Sequence, residues 1–239
     1  KVLYQSNRNG PESLYLLDLR SLEEIRLPLD PNMRWAQPAW SADGRALTLT
    51  RYAPSGIDLW QFVLGSDAPT PLPGAPANAH DAQWDPDGAH AWCRVGSERV
   101  AQLQRFALHG SSPPFTRPET VEHYQIDRQG LFLLLTGESQ LRWCKDPSSA
   151  DCEVLPVNIA SAQRRNWAIS DDAVYFVADD VNGAQKLTRY SLSSGALSVS
   201  NWPRPSTLNR GLDVARDQQF AIIASTDRVD IDLMWLRGE

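Results

Sequence analysis

Short apolar strands in this chain break five times at Asp-Gly-like turns, and the breaks recur at almost one spacing. The turns read Ser41-Ala42-Asp43-Gly44, Asp85-Pro86-Asp87-Gly88, Asp127-Arg128-Gln129-Gly130, Ser170-Asp171-Asp172-Ala173 and Ala215-Arg216-Asp217-Gln218. From Asp43 to Asp87 is 44 residues, then 42 to Gln129, 43 to Asp172 and 45 to Asp217. A second landmark, the leucine of each of six alternating apolar segments, steps from Leu14 to Leu59, Leu103, Leu141, Leu187 and Leu233 by 45, 44, 38, 46 and 46. The one short step precedes a polar turn flanked by two cysteines.

A period in this range built only from short strands predicts an all-β fold, a β-propeller of four-stranded antiparallel blades. The second module shows the scheme best. Strand a covers 37–40, strand b 46–51 after the Asp-Gly turn, strand c 57–62, and strand d starts at 70–73. Asp-Gly is a strong hairpin signal, and Pro54-Ser55-Gly56 supplies the next bend. No helix is expected. The modules fall at about 1–31, 32–75, 76–119, 120–159, 160–205 and 206–239, giving six blades in a single domain. The first and last are incomplete, because 1–7 matches strand b and the last module stops after strand c. One segment upstream of Lys1 would supply both missing strands and remove an exposed sheet edge; if whole blades are missing instead, the count rises to seven or more.

The chain has 239 residues, a formal net charge of −6 and a pI near 5.3. That charge argues against a nucleic-acid-binding face on this domain. No apolar run approaches the roughly 18 residues of a membrane span. The opening residues already read as a strand, so any targeting segment is expected to have been removed or to lie elsewhere. Cys144 and Cys152 flank a polar turn between two strand-like segments, close enough for a disulfide; the alternative is two unrelated thiols. A persistent disulfide implies an oxidising compartment, the bacterial periplasm or the cell exterior. Cys93, within an apolar strand, reads as a small buried hydrophobe.

Pro38-Ala39-Trp40-Ser41-Ala42-Asp43-Gly44 followed by an apolar strand resembles the repeat of TolB-type propellers, as do Ser6-Asn7-Arg8-Asn9-Gly10 and Gln83-Trp84-Asp85-Pro86-Asp87-Gly88. Later repeats depart, with Ile126 and Val214 in place of Trp and no Gly after Asp172 or Asp217. The segments 166–176 and 225–234 are similar to the C-terminal part of a group of bacterial regulators that resemble CadC in plan. That resemblance implies a periplasmic propeller acting as sensor, joined through one membrane helix to a cytoplasmic winged-helix DNA-binding domain.

Function in propellers sits around the mouth of the central channel, lined by strand a and the loops leading into it. Alignment on Trp40, Trp84, Ile126, Ile169 and Val214 puts Ala36, His80, Glu122, Arg165 and Arg210 four residues earlier. Neighbouring positions add Arg34, Trp35, Asp81, His123, Arg164 and Asn166. The candidate binding residues are Arg34, Trp35, His80, His123, Arg164, Arg165 and Arg210. Four arginines there suit a small anionic ligand or a protein partner's carboxylates, which guanidinium binds bidentately. The plainer account is that polar residues solvate loop mouths.

Catalytic patterns are poor. No Gly-x-Ser-x-Gly elbow occurs, and His80 and His90 have no second pair at metal-ligand spacing, so no metal, cofactor or catalytic residue is assigned. Asp171-Asp172 and Asp179-Asp180 read as turn formers. Most tryptophans recur at blade positions and read as packing, whereas Trp35 and Trp202 fall outside the register as surface candidates. The expected function is therefore non-enzymatic binding of a protein or ligand in the periplasm, as the sensor of a membrane-anchored regulator. The alternatives are a stand-alone TolB-like envelope scaffold, or a propeller hydrolase or lyase using His80 and His123.

Overall fold

Ser41 shows why each module bends where it does. Its Oγ accepts hydrogen bonds from the backbone N–H groups of Arg45 (3.1 Å) and Ala46 (2.9 Å) and donates to Asp43 Oδ1 (2.6 Å). Gly44 takes the left-handed φ of +69° that the turn requires. Asp85 and Asp87 do the same work one module later. Asp87 Oδ1 accepts from the N–H groups of Ala89 and His90, and Arg105 spans the two carboxylates at 2.7 and 2.6 Å. The acidic turns at 41–44 and 85–88 are hairpin closures.

The computed structural model describes residues 1–239 apart from 111–112, 180–181, 200–207, 216–219, 228–229 and 238–239; at 208–210, 220, 223–227 and 230–237 only the backbone is described. Among the described residues the strands form five antiparallel sheets. The first holds β1 (Val2–Ser6), β2 (Ser13–Leu17) and β3 (Glu24–Arg26), and the second holds β4 (Arg34–Trp40), β5 (Ala46–Ala53), β6 (Gly56–Val63) and β7 (Thr70–Pro71). The third, in strict sequence order, holds β8 (Ala79–Trp84), β9 (His90–Gly96), β10 (Ala101–Ala107), β11 (Phe115–Asp127), β12 (Gly130–Leu135), β13 (Gln140–Cys144) and β14 (Glu153–Asn158). The fourth holds β15 (Trp167–Ser170), β16 (Ala173–Asp179), β17 (Gln185–Ser191) and β18 (Leu197–Val199); the fifth holds β19 (Leu208–Val214), β20 (Phe220–Asp227) and β21 (Asp230–Arg237). Helical structure among these residues is one 3-10 turn, Ser161–Gln163.

The sequence places a module break near 119, but β11 runs through it for 13 residues. Its first part pairs with β10, with a register shift between Gln102 and Gln104 opposite the stretch holding Pro118, which has no N–H to give a ladder. Two four-strand repeats therefore share one seven-stranded sheet. The chain divides into two compact units, Lys1–Val121 and Glu122–Glu239.

Within each unit the cores lie between successive modules. Leu14 and Leu16 of β2 pack with Leu47 and Leu49 of β5, Phe62 and Trp35, while Leu59 of β6 joins Ala79, Ala91, Cys93 and Phe106. In the second unit Phe132, Leu134 and Leu141 meet Trp167, Val174, Phe176 and Tyr190. Each fully buried leucine contributes about 1.5–3 kcal/mol, and Leu47→Ala would cost about 2–5 kcal/mol. Polar groups bridge the same seams. Thr48 Oγ1 donates to Ala82 O at 2.6 Å, Gln125 Nε2 donates to Trp167 O at 2.6 Å, and Ser170 Oγ donates to Ala215 O at 2.9 Å. These bonds fix one module's register against the next.

Cys144 and Cys152 are joined by a disulfide, with Cα atoms 4.2 Å apart. Cys93 is buried, and burial pushes its thiol well above the usual range.

Candidate functional site

The inner strands of the first unit carry a backbone irregularity at equivalent positions. Gln37 in β4 and Asp81 in β8 both adopt left-handed φ, +50° and +56°, where each strand shifts register against its partner. Such strain costs a non-glycine residue about 1–2 kcal/mol and persists only where the surroundings hold it. For Asp81 the holder is Thr50 of β5, whose Oγ1 accepts the Asp81 N–H at 2.9 Å.

Polar side chains from four strands converge there. Arg94 of β9 is 1% exposed; its Nε donates to Val121 O (3.1 Å), its Nη2 donates to Glu98 O (2.8 Å), and its Nη1 lies 3.7 Å from Asp81 Oδ2. His80 lies opposite Arg94 in the ladder and has no exposed surface. Its ring nitrogens make no hydrogen bond of good geometry. Burial, then the neighbouring Arg94 guanidinium, hold its imidazole below the ordinary range, against the weaker pull of Asp81, the Asn78 carbonyl and Glu98.

Two further groups near Asp81 and Glu98 are more accessible. Arg34 opens β4, is exposed, and holds its guanidinium 4.7 Å from the Tyr52 ring centre. The Tyr52 hydroxyl faces Gln37 Oε1 at 3.4 Å. Burial, then the Glu98 carboxylate beside it, push the phenol up to about 12. Tyr52, Arg94 and Glu98 escape an alignment based on strand a, since they come from β5, β9 and the turn after β9. The available signal is an arginine inside an otherwise apolar strand b, Ala91-Trp92-Cys93-Arg94-Val95.

In the second unit Arg164 pairs with Glu122, and its backbone carbonyl accepts the Trp167 indole N–H at 3.1 Å. His123 packs edge-on against Trp167, ring centres 5.1 Å apart. Asn166 accepts the Gly211 N–H at 2.8 Å and donates to Gln163 Oε1 at 2.5 Å, so it is a structural tie between modules. Arg165 is half-buried, and among the described residues it meets no carboxylate. The side chain of Arg210 and all of Trp202 lie outside the described residues.

Trp35 corrects the sequence expectation of a surface residue. It is 5% exposed, edge-to-face with Trp60, and its indole donates to Asp30 O at 3.0 Å. Strand β4 begins three residues earlier than the sequence places it, which turns Trp35 into the core opposite Arg51. Asp172 corresponds to the turn reading: Ser191 and Ser193 donate to it, and these bonds, that of Ser193 first, hold its carboxyl below the usual range. Among the described residues no three His, Cys, Asp or Glu side chains gather as metal ligands would, and no helix is long and apolar enough to cross a membrane.

Sheets of this order and these module-to-module cores define a β-propeller, and the form is TolB-like. The structure superposes on TolB from Acinetobacter baumannii with a TM-score of 0.78 at 10% identity, over 98% of this chain and 60% of that one. The β-propeller domain of the Trilobed protease from Pyrococcus furiosus follows at 0.59 and 12% identity, over 99% and 91% of the two chains. An oligogalacturonate lyase in complex with manganese gives 0.62 and 14%, over 99% and 73%. No family model and no curated protein matches the sequence. At these identities the likeness is one of fold, and the chain spans about three-fifths of the TolB chain's length.

Proposed function

We propose that this TolB-like domain is a six-bladed, non-catalytic binding module of the periplasm, serving as the sensor of a membrane-anchored winged-helix regulator. The observation that carries the binding role is the entry of β4 and β8: exposed Arg34 stacks on Tyr52, which lies beside Glu98 and Asp81, and Asp81 in turn faces buried Arg94. Such a set holds its outer groups in place ahead of any ligand, which lowers the entropy cost of binding. Arg34, exposed at the start of β4, favours a carboxylate or other anionic group on the partner.

The same groups are ill-suited to proton transfer. The Tyr52 phenol titrates near 12, and His80 is walled off from any substrate. The Cys144–Cys152 disulfide favours an oxidising compartment. Six blades follow from the six repeats, two of them sharing the seven-stranded sheet.

The test is localisation of the full-length protein in the cell that makes it. A membrane-bound protein whose domain is digested by protease added to spheroplasts supports the sensor. Release of the whole protein by osmotic shock favours the stand-alone scaffold, and a cytosolic protein with reduced cysteines overturns both. In the membrane-bound case, R34A should change the transcripts under its control without moving the domain's melting temperature.

A further inference from the structure

The hairpin closed by the disulfide builds a second surface. In the ladders Phe132 of β12 stands opposite Trp143 of β13, and Trp143 opposite Glu153 of β14. Directly opposed residues share a sheet face. Fully buried Phe132 stacks on the Trp143 ring, centres 5.8 Å apart and 9° from parallel, and the indole N–H donates to Gln129 O at 2.8 Å. The indole is thus fixed along one flank and at its edge. The Cys144–Cys152 bond pins loop 145–151 beside it. Trp143, Lys145, Ala150, Asp151, Cys152 and Glu153 line an open depression of about 480 Å³, within the size of small-molecule sites.

We propose that this depression binds one ring of a neutral saccharide, stacked on Trp143, with Asp151 and Glu153 accepting hydrogen bonds from its hydroxyls. A sugar ring presents C–H groups of positive edge to the negative face of an indole, while its hydroxyls need acceptors around the rim. Two carboxylates against one ammonium leave the lining negative, which disfavours acidic sugars. Lys145 now covers the ring, its Nζ 4.6 Å from the ring centre and 3.8 Å from Glu153. Its side chain is 70% exposed, and contacts of this kind at the surface are weak enough for a ligand to displace.

The experiment titrates the whole chain with maltotriose, chitotriose and trigalacturonate, read by tryptophan fluorescence and calorimetry. At least one neutral trisaccharide should bind in the millimolar range. K145A removes the competitor for the ring and should tighten binding about two- to fivefold; D151N and E153Q should each weaken it about tenfold. Tightening by K145A separates a saccharide stacked on the ring from a purely structural lysine. The proposal fails if neither neutral sugar binds K145A at about 10 mM, if trigalacturonate binds better than both, or if D151N and E153Q leave affinity unchanged.

Discussion

Thr50 Oγ1 accepts the backbone N–H of Asp81 at 2.9 Å across the seam between neighbouring modules, 31 residues apart in sequence. Thr50 is fully buried and Asp81 nearly so, so no solvent stands ready to take that N–H if the acceptor is lost. Thr50→Val keeps the shape and strands the donor, at a cost of about 1–3 kcal/mol. Urea unfolding should show a lower midpoint at unchanged slope, and T50S should restore most of the loss. An unmoved midpoint in T50V would mean that the left-handed Asp81 backbone is held by something other than this bond.

The disulfide joins residues eight apart. Closing so short a loop restricts the unfolded chain by about 2–3 kcal/mol on the chain-entropy model. Cys144→Ala with Cys152→Ala should lower stability by that amount, and the wild-type protein should lose the same amount in strong reductant. A much smaller loss would show that the strand pairing of β13 with β14 orders the turn without help.

What the sequence discloses here follows from what repeats. Turn residues and strand c leucines recur because every module needs the same hairpin and the same packed face, so Asp43, Asp87, Leu59 and Leu141 are readable at sight. Trp35 is misplaced because strand length does not repeat: β4 starts at Arg34, and those extra residues swing the ring into the core. At the β10–β11 junction the change of module placed near 119 falls inside one continuous strand, β11, whose unbroken run leaves no turn signal in the sequence. At the candidate site Arg34 and His80 are found by alignment, but Tyr52, Arg94 and Glu98 are not. They belong to single modules, and a side chain used once leaves no period.

His80 should leave a mark on the acid side of the stability profile. Folded, it binds a proton less readily than its ordinary value of 6.5 allows, because burial and then Arg94 oppose the charge. Its share of stability is therefore full above about 6.5 and is lost as pH falls below it. Asp81, Glu98 and the Asn78 carbonyl face the same ring and pull the other way, so the effect is partial. Substituting Leu for His80 removes the titration and should flatten the fall in urea midpoint between pH 7 and pH 5. A profile as steep as wild type would place the acid sensitivity in other groups.

Tyr52 should leave its mark at the alkaline end. Unfolded, its phenol ionises near 10; folded, burial and then Glu98 raise it to about 12. The folded state thus keeps a proton that the unfolded state has released, and stability falls as pH climbs from 10 towards 12. Absorbance at 295 nm should show one phenol ionising late, and Y52F should remove that step while lessening the alkaline loss. Phe retains the ring under the Arg34 guanidinium, so the variant removes the hydroxyl and spares the stacking. If the late phenol persists in Y52F, the ionisation belongs to another tyrosine, and the closeness of Tyr52 to Glu98 has no electrostatic consequence.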